Sequence, residues 1–180
     1  QSRLKPSREL IISFDCAYSE SIVGDVTKLY VDCQLNQKFT KLEVIFCDIA
    51  EEDNVYVRKN DPIPKKLPRL GYASGPNNQF FHTMRKLYDR EYVLLNETDC
   101  VPVRADWLEQ IGKRVFWNES FWVMGSSYKG ITDLNGDISN HVNGNAVYAA
   151  GSSEFGEFLE TWEDGLAKVV KTRNYMAYDV

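Results

Sequence analysis

The chain has 180 residues, enough for one domain whose core needs neither disulfides nor metal in order to fold. Its 43% hydrophobic and 26% charged residues exclude disorder over most of the length, and no apolar run approaches the roughly 20 residues of a membrane-spanning helix. Acidic residues outnumber basic ones by 26 to 21, a net charge of −5 that speaks against a general nucleic-acid surface.

Residues 1–9 are polar and basic and read as a loose lead-in, and the start at Gln1 rather than Met reads as the trimmed end of a longer chain. Residues 10–14 form an apolar strand running into Asp15, Cys16, Ala17 and Tyr18, and Ile22, Val23, Val26, Leu29, Tyr30 and Cys33 follow at helical spacing. A second strand over 42–48 ends at Asp48 and passes into an acidic loop. Three prolines between 62 and 68 mark a further loop. Ser74, Gly75 and Pro76 then open a helix whose apolar face is Phe80, Phe81, Met84, Leu87 and Tyr88. A third strand over 92–96 ends in Glu97, Thr98 and Asp99. Trp107, Leu108, Ile111 and Val115 predict another helix, 121–126 and 145–149 predict strands, and a long amphipathic helix is expected over about 153–171.

Strand, helix, strand, helix, strand is the order of an α/β domain with a mostly parallel central sheet flanked by helices, one domain over residues 1–180. Ligands of such sheets sit at the carboxyl ends of the strands, where Asp15, Asp48, Glu97 and Asp99 fall. Glu97 and Asp99 offer oxygen donors to a hard divalent ion such as Mn²⁺ or Mg²⁺; the plain alternative is a polar strand end. Gly75, Asn77 and Asn78 at a helix start present an N-terminus that can face an anion, or simply a cap, and no P-loop or dinucleotide fingerprint accompanies them. His141, Asn143, Gly144 and Asn145 combine one of only two histidines with two amides suited to sugar hydroxyls; a turn is the plain alternative. His82 sits within a helix pattern and reads as structural. Cys16, Cys33, Cys47 and Cys100 form no metal-binding spacing and read as reduced thiols of a reducing compartment.

Together, 10–18, 42–48, 75–78, 97–99 and 141–148 resemble a nucleotide-sugar glycosyltransferase of the GT-A fold, a Rossmann-like single domain. Glu97, Thr98 and Asp99 stand where that family carries its D-x-D motif, with Glu for the first Asp. The run from His141 to Tyr148 is similar to an H-x-N-G-N-A-x-Y signature of small glycosyltransferase domains in large algal DNA viruses of the chlorovirus type. The resemblance implies that Asp99, helped by Glu97, binds Mn²⁺ or Mg²⁺ bridging the diphosphate of a UDP-sugar. Phe14, Asp15, Tyr18 and Asp48 would surround uracil and ribose, and Gly75, Asn77 and Asn78 would flank the nucleotide. His141, Asn143, Gly144 and Asn145 would face the donor sugar, the phosphates or the acceptor. Asp179 is the first candidate for the catalytic base of an inverting transfer to a glycan or glycoprotein-glycan hydroxyl, with Asp164 and Glu163 behind it.

The same resemblance implies a cytoplasmic protein without membrane insertion, in the host cytoplasm if viral; a Golgi-type lumenal domain separated from its anchor stays open. A sugar nucleotidyltransferase would need a Gly-rich basic loop after the first strand, which the run from Asp15 to Glu20 is not. A non-catalytic carbohydrate- or nucleotide-binding module remains the alternative, and it would not need Glu97 and Asp99.

Overall fold

The computed structural model describes residues 7–58, 61–117, 120–127 and 141–179; part of the expected lead-in, 1–6, lies outside them. The two most apolar stretches of the first fifty residues become β1 (Glu9–Phe14) and β2 (Lys41–Phe46), paired in parallel from Glu9↔Lys41 to Phe14↔Phe46. A parallel pair needs a crossover, supplied by α1 (Glu20–Asp32). Ser19 caps α1 by accepting the Ile22 N–H, and Glu20 places an acid against the positive end of the helix.

Then come α2 (Ser74–Arg85), β3 (Val93–Leu94), α3 (Trp107–Trp117), β4 (Val123–Met124), β5 (Val147–Tyr148) and α4 (Phe155–Arg173). The described strands do not form the expected single, mostly parallel central sheet. They form a two-stranded parallel sheet, β1 with β2, and a three-stranded antiparallel sheet in the order β3-β5-β4. Alternation of strands and helices fixes a crossover only where both strands are long enough to show it. β3, β4 and β5 are two residues each, and β5 runs back between the other two. The architecture is mixed α/β with small sheets.

One apolar core binds α2, β5, α4 and the C-terminal segment. Phe81, Phe155 and Leu159 have no exposed surface, and the Phe80 and Tyr178 rings stack at 4.0 Å with a 7° tilt. The helical period of 155–170 holds for Phe155, Leu159, Leu166 and Val170, while Val169 points outward. A smaller cluster of Ile45, Cys47 and Leu87 lies under the parallel sheet, and Val93 packs against both clusters, joining the two sheets through side chains. His82 is half-buried in α2, with Nδ1 3.3 Å from the Cys47 carbonyl oxygen. All four cysteines are free thiols. No helix among the described residues is long and apolar enough to cross a membrane.

Asn77 belongs to this core. It has no exposed surface, and its Nδ2 donates to the carbonyls of Leu70 at 3.3 Å and Met176 at 2.9 Å. That amide ties the approach to α2 and the C-terminal segment to the first turn of the helix. Asn77→Ala strands two buried carbonyls but also removes a buried Oδ1 that has no partner, so the expected net loss is about 1–2 kcal/mol. Asn78→Ala, at a half-buried position with one bond to the Asp53 carbonyl, is expected to lose about 0.5–1 kcal/mol. Urea midpoints of the two variants check the ranking.

Candidate functional site

The antiparallel register of β3 and β5 builds the site. Leu94 lies opposite Val147, and the Leu95 N–H donates to the Ala146 carbonyl at 3.0 Å. The chain leaving β3 therefore runs beside the chain entering β5, and Glu97 meets Asn145. Asn145 accepts the Glu97 N–H on Oδ1 at 2.6 Å and donates from Nδ2 to Glu97 Oε2 at 3.0 Å. Asn143 Oδ1 accepts both the Asn145 N–H and its Nδ2, each at 2.9 Å. The turn carrying Glu97 is closed by the Cys100 N–H on the Glu97 carbonyl at 3.0 Å and by Asn96 Nδ2 on the carbonyls of Glu97 and Cys100.

Asp179 arrives at the same loop from the other end of the chain. Its Oδ2 accepts the Gly144 N–H at 3.1 Å, and Tyr148 donates its hydroxyl to the Gly144 carbonyl at 2.9 Å. A Cβ on Gly144 would collide with the Tyr178 ring, so the close approach that glycine permits here is taken up by Tyr178, not left for a ligand. His141 is half-buried at the entry to the loop, next to the Ser127–Val142 bridge, and the Asn143 N–H continues that pairing on Ser126 at 3.1 Å. Glu97, Asn143, Gly144, Asn145 and Asp179 are thus one hydrogen-bonded unit. The reserve candidates for the base lie elsewhere: Glu163 is ion-paired with Arg69 and Arg85, and Asp164 with Arg69.

Carboxylate oxygens of Glu97 and Asp99 and the Cys100 sulfur all lie within 4.8 Å of one another. Burial first, then the charges of Asp99 and Glu97, raise the pKa of Cys100. The two carboxylates are oxygen donors of the kind that fits Mn²⁺ or Mg²⁺, with the Cys100 sulfur beside them.

The other expected contacts divide. Phe14 and Phe46 stack at 5.7 Å across the parallel register, and Tyr18 sets its edge on Phe46 at 5.3 Å while remaining 72% exposed. Asp48 is exposed beside them, in the left-handed region at φ 49°, which Asp tolerates better than most residues. Backbone bonds from Asp48 to Cys16 and from Ile49 to Asp15 close the strand tips. Asp15 accepts Asn54 Nδ2 at 2.8 Å. Gly75 and Asn77 are turned inward rather than toward a cleft. The Gly75 N–H is bonded to Val55 at 2.8 Å, and a Cβ there would come within 2.6 Å of Asn54 Oδ1. Asn78 holds the Asp53 carbonyl at 3.2 Å, and Ser74 bonds the same oxygen. The first turn of α2 is therefore a bracket for the 53–55 loop and not an open anion site.

The sequence reading missed Asn54, the partner of Asp15, and the pair Tyr56 and Tyr175. Both rings are about half exposed, and Tyr56 and Asp179 help to raise the pKa of Tyr175.

Comparison with family models, with curated proteins and with solved structures finds no match for the chain.

Burial is the main cause that raises the pKa of Tyr148, Tyr175 and Tyr178 above the usual 10, Tyr175 to about 12 with help from Tyr56. Above pH 10 the folded chain then holds protons that the unfolded chain has released, so stability falls as pH rises. Stability from these phenols is complete below pH 10. Above it, each of the core phenols Tyr148 and Tyr178 is expected to steepen the loss by about 1.4 kcal/mol per pH unit. Urea midpoints between pH 8 and 11.5 check this; a flat profile would contradict it.

Proposed function

We propose that the chain is a metal-dependent glycosyltransferase that moves a hexose or deoxyhexose from a UDP-sugar to a hydroxyl of a glycan acceptor, with inversion at the anomeric carbon. One observation carries the reading. Glu97, the Asn143–Asn145 loop and Asp179, picked out separately along the sequence, share one hydrogen-bonded unit with a carboxylate pair at its edge. A structural turn alone requires neither the carboxylate pair nor Asp179.

Glu97 and Asp99 would hold Mn²⁺ or Mg²⁺. When bound, the ion supplies Lewis-acid stabilisation of the charge that develops on the departing diphosphate. Tyr18 offers an exposed ring to the base, and Asp48 an exposed carboxylate to ribose hydroxyls. Asp15 is oriented by Asn54 next to them. Asp179 is steadied through Oδ2 by the Gly144 N–H, and its carboxylate is the group that would accept the proton of the attacking acceptor hydroxyl. Asn77 and Gly75, being buried, lie outside this scheme.

Calorimetric titration with UDP, with and without Mn²⁺, on the chain and on Asp99→Ala tests the donor site. Binding is expected to require Mn²⁺ and to weaken by about tenfold or more in Asp99→Ala. Absence of UDP binding under all conditions would overturn the reading.

A further inference from the structure

We infer that Asn145 is a positioning residue for Glu97: it fixes the carboxylate of the proposed metal site through two contacts to one residue. This rests on the metal-dependent reading above and adds to it the element that orders the site. A side-chain amide has two N–H donors and one oxygen. Both donors are used, toward Glu97 Oε2 and Asn143 Oδ1, and the oxygen takes the Glu97 N–H. No donor remains for a hydroxyl of the substrate.

Glu97 is exposed, and an exposed glutamate ordinarily samples several rotamers. Asn145 grips it at the backbone and at the carboxylate together, so main chain and side chain are held in one relation. Asn143 in turn holds the amide of Asn145 at both its N–H and its Nδ2. A plain turn needs only the bond within 143–145, and the two bonds to a residue 48 positions away serve no turn. The adjacent Gly144 N–H anchors Asp179, so the same three residues set the metal carboxylate and the base relative to each other. Partners that orient a metal ligand typically change metal affinity by about 10–100-fold when removed.

The test is Mn²⁺ affinity, read from the EPR signal of free Mn²⁺, for the full chain, Asn145→Ala, Glu97→Ala and the double variant, with urea midpoints showing that each is folded. Asn145→Ala is expected to bind Mn²⁺ about 10–100-fold more weakly, and the double variant no more weakly than Glu97→Ala. Should Asn145→Ala fail to fold, Asn143→Ala, which leaves Asn145 in place but unoriented, is expected to show a smaller loss of the same kind. Unchanged affinity in the folded variant used, or losses that simply add, would overturn the inference and leave the metal reading standing. Failure of the unaltered chain to take up Mn²⁺ would overturn the metal reading itself, and the inference with it.

Discussion

The pairing of two short strands governs the candidate site. β3 and β5 share only the register Val93↔Tyr148 and Leu94↔Val147, continued by the bond from Leu95 to Ala146. A slip of one residue would turn every side chain to the opposite face and separate Glu97 from Asn145. So short a ladder cannot hold its register alone. The core does so: Tyr148 is buried among Phe80, Phe155 and Trp162, and its hydroxyl is committed to Gly144. The polar unit at the surface thus inherits its geometry from aromatic packing beneath it.

The first turn of α2 is the second fixed point. Ser74 and Asn78 hold the loop that carries Asn54 to Asp15, and Asn77 holds Met176, three residues before Asp179. One helix start therefore positions both the loop beside the β1–β2 tips and the segment that brings Asp179 to Gly144. These bonds are partly buried, where an unmade bond is expensive, so the bracket is rigid for the same reason that it is polar.

Much of the local structure was legible in the sequence. The strand over 10–14, the one expected over 42–48 and found at Lys41–Phe46, the helix opening at Ser74 and the long helix expected over about 153–171 and found at Phe155–Arg173 follow from apolar runs and period. Sheet direction was not legible, because two-residue strands carry no pattern that distinguishes parallel from antiparallel neighbours. That misreading bears on the site, since it is the antiparallel return of β5 that sets Glu97 against Asn145. The type of residue at the site was visible, but its use was not. Asn77, Asn78 and Asn145 have the same side chain, and only burial and neighbours distinguish a core tie, a loop bracket and a clamp on a carboxylate.

The most direct measurement is release of UDP from a panel of UDP-sugars in the presence of Mn²⁺ and a panel of glycan acceptors, comparing the chain with Asp179→Asn. The asparagine keeps an oxygen for the Gly144 N–H and removes the carboxylate proposed as the base. Turnover by the chain, reduced about 10²–10⁴-fold in a folded variant that still binds UDP, is the expected result. Turnover unaffected by Asp179→Asn, or no turnover with any UDP-sugar despite tight UDP binding, would contradict the assignment; the latter would mark a nucleotide-binding module instead of an enzyme.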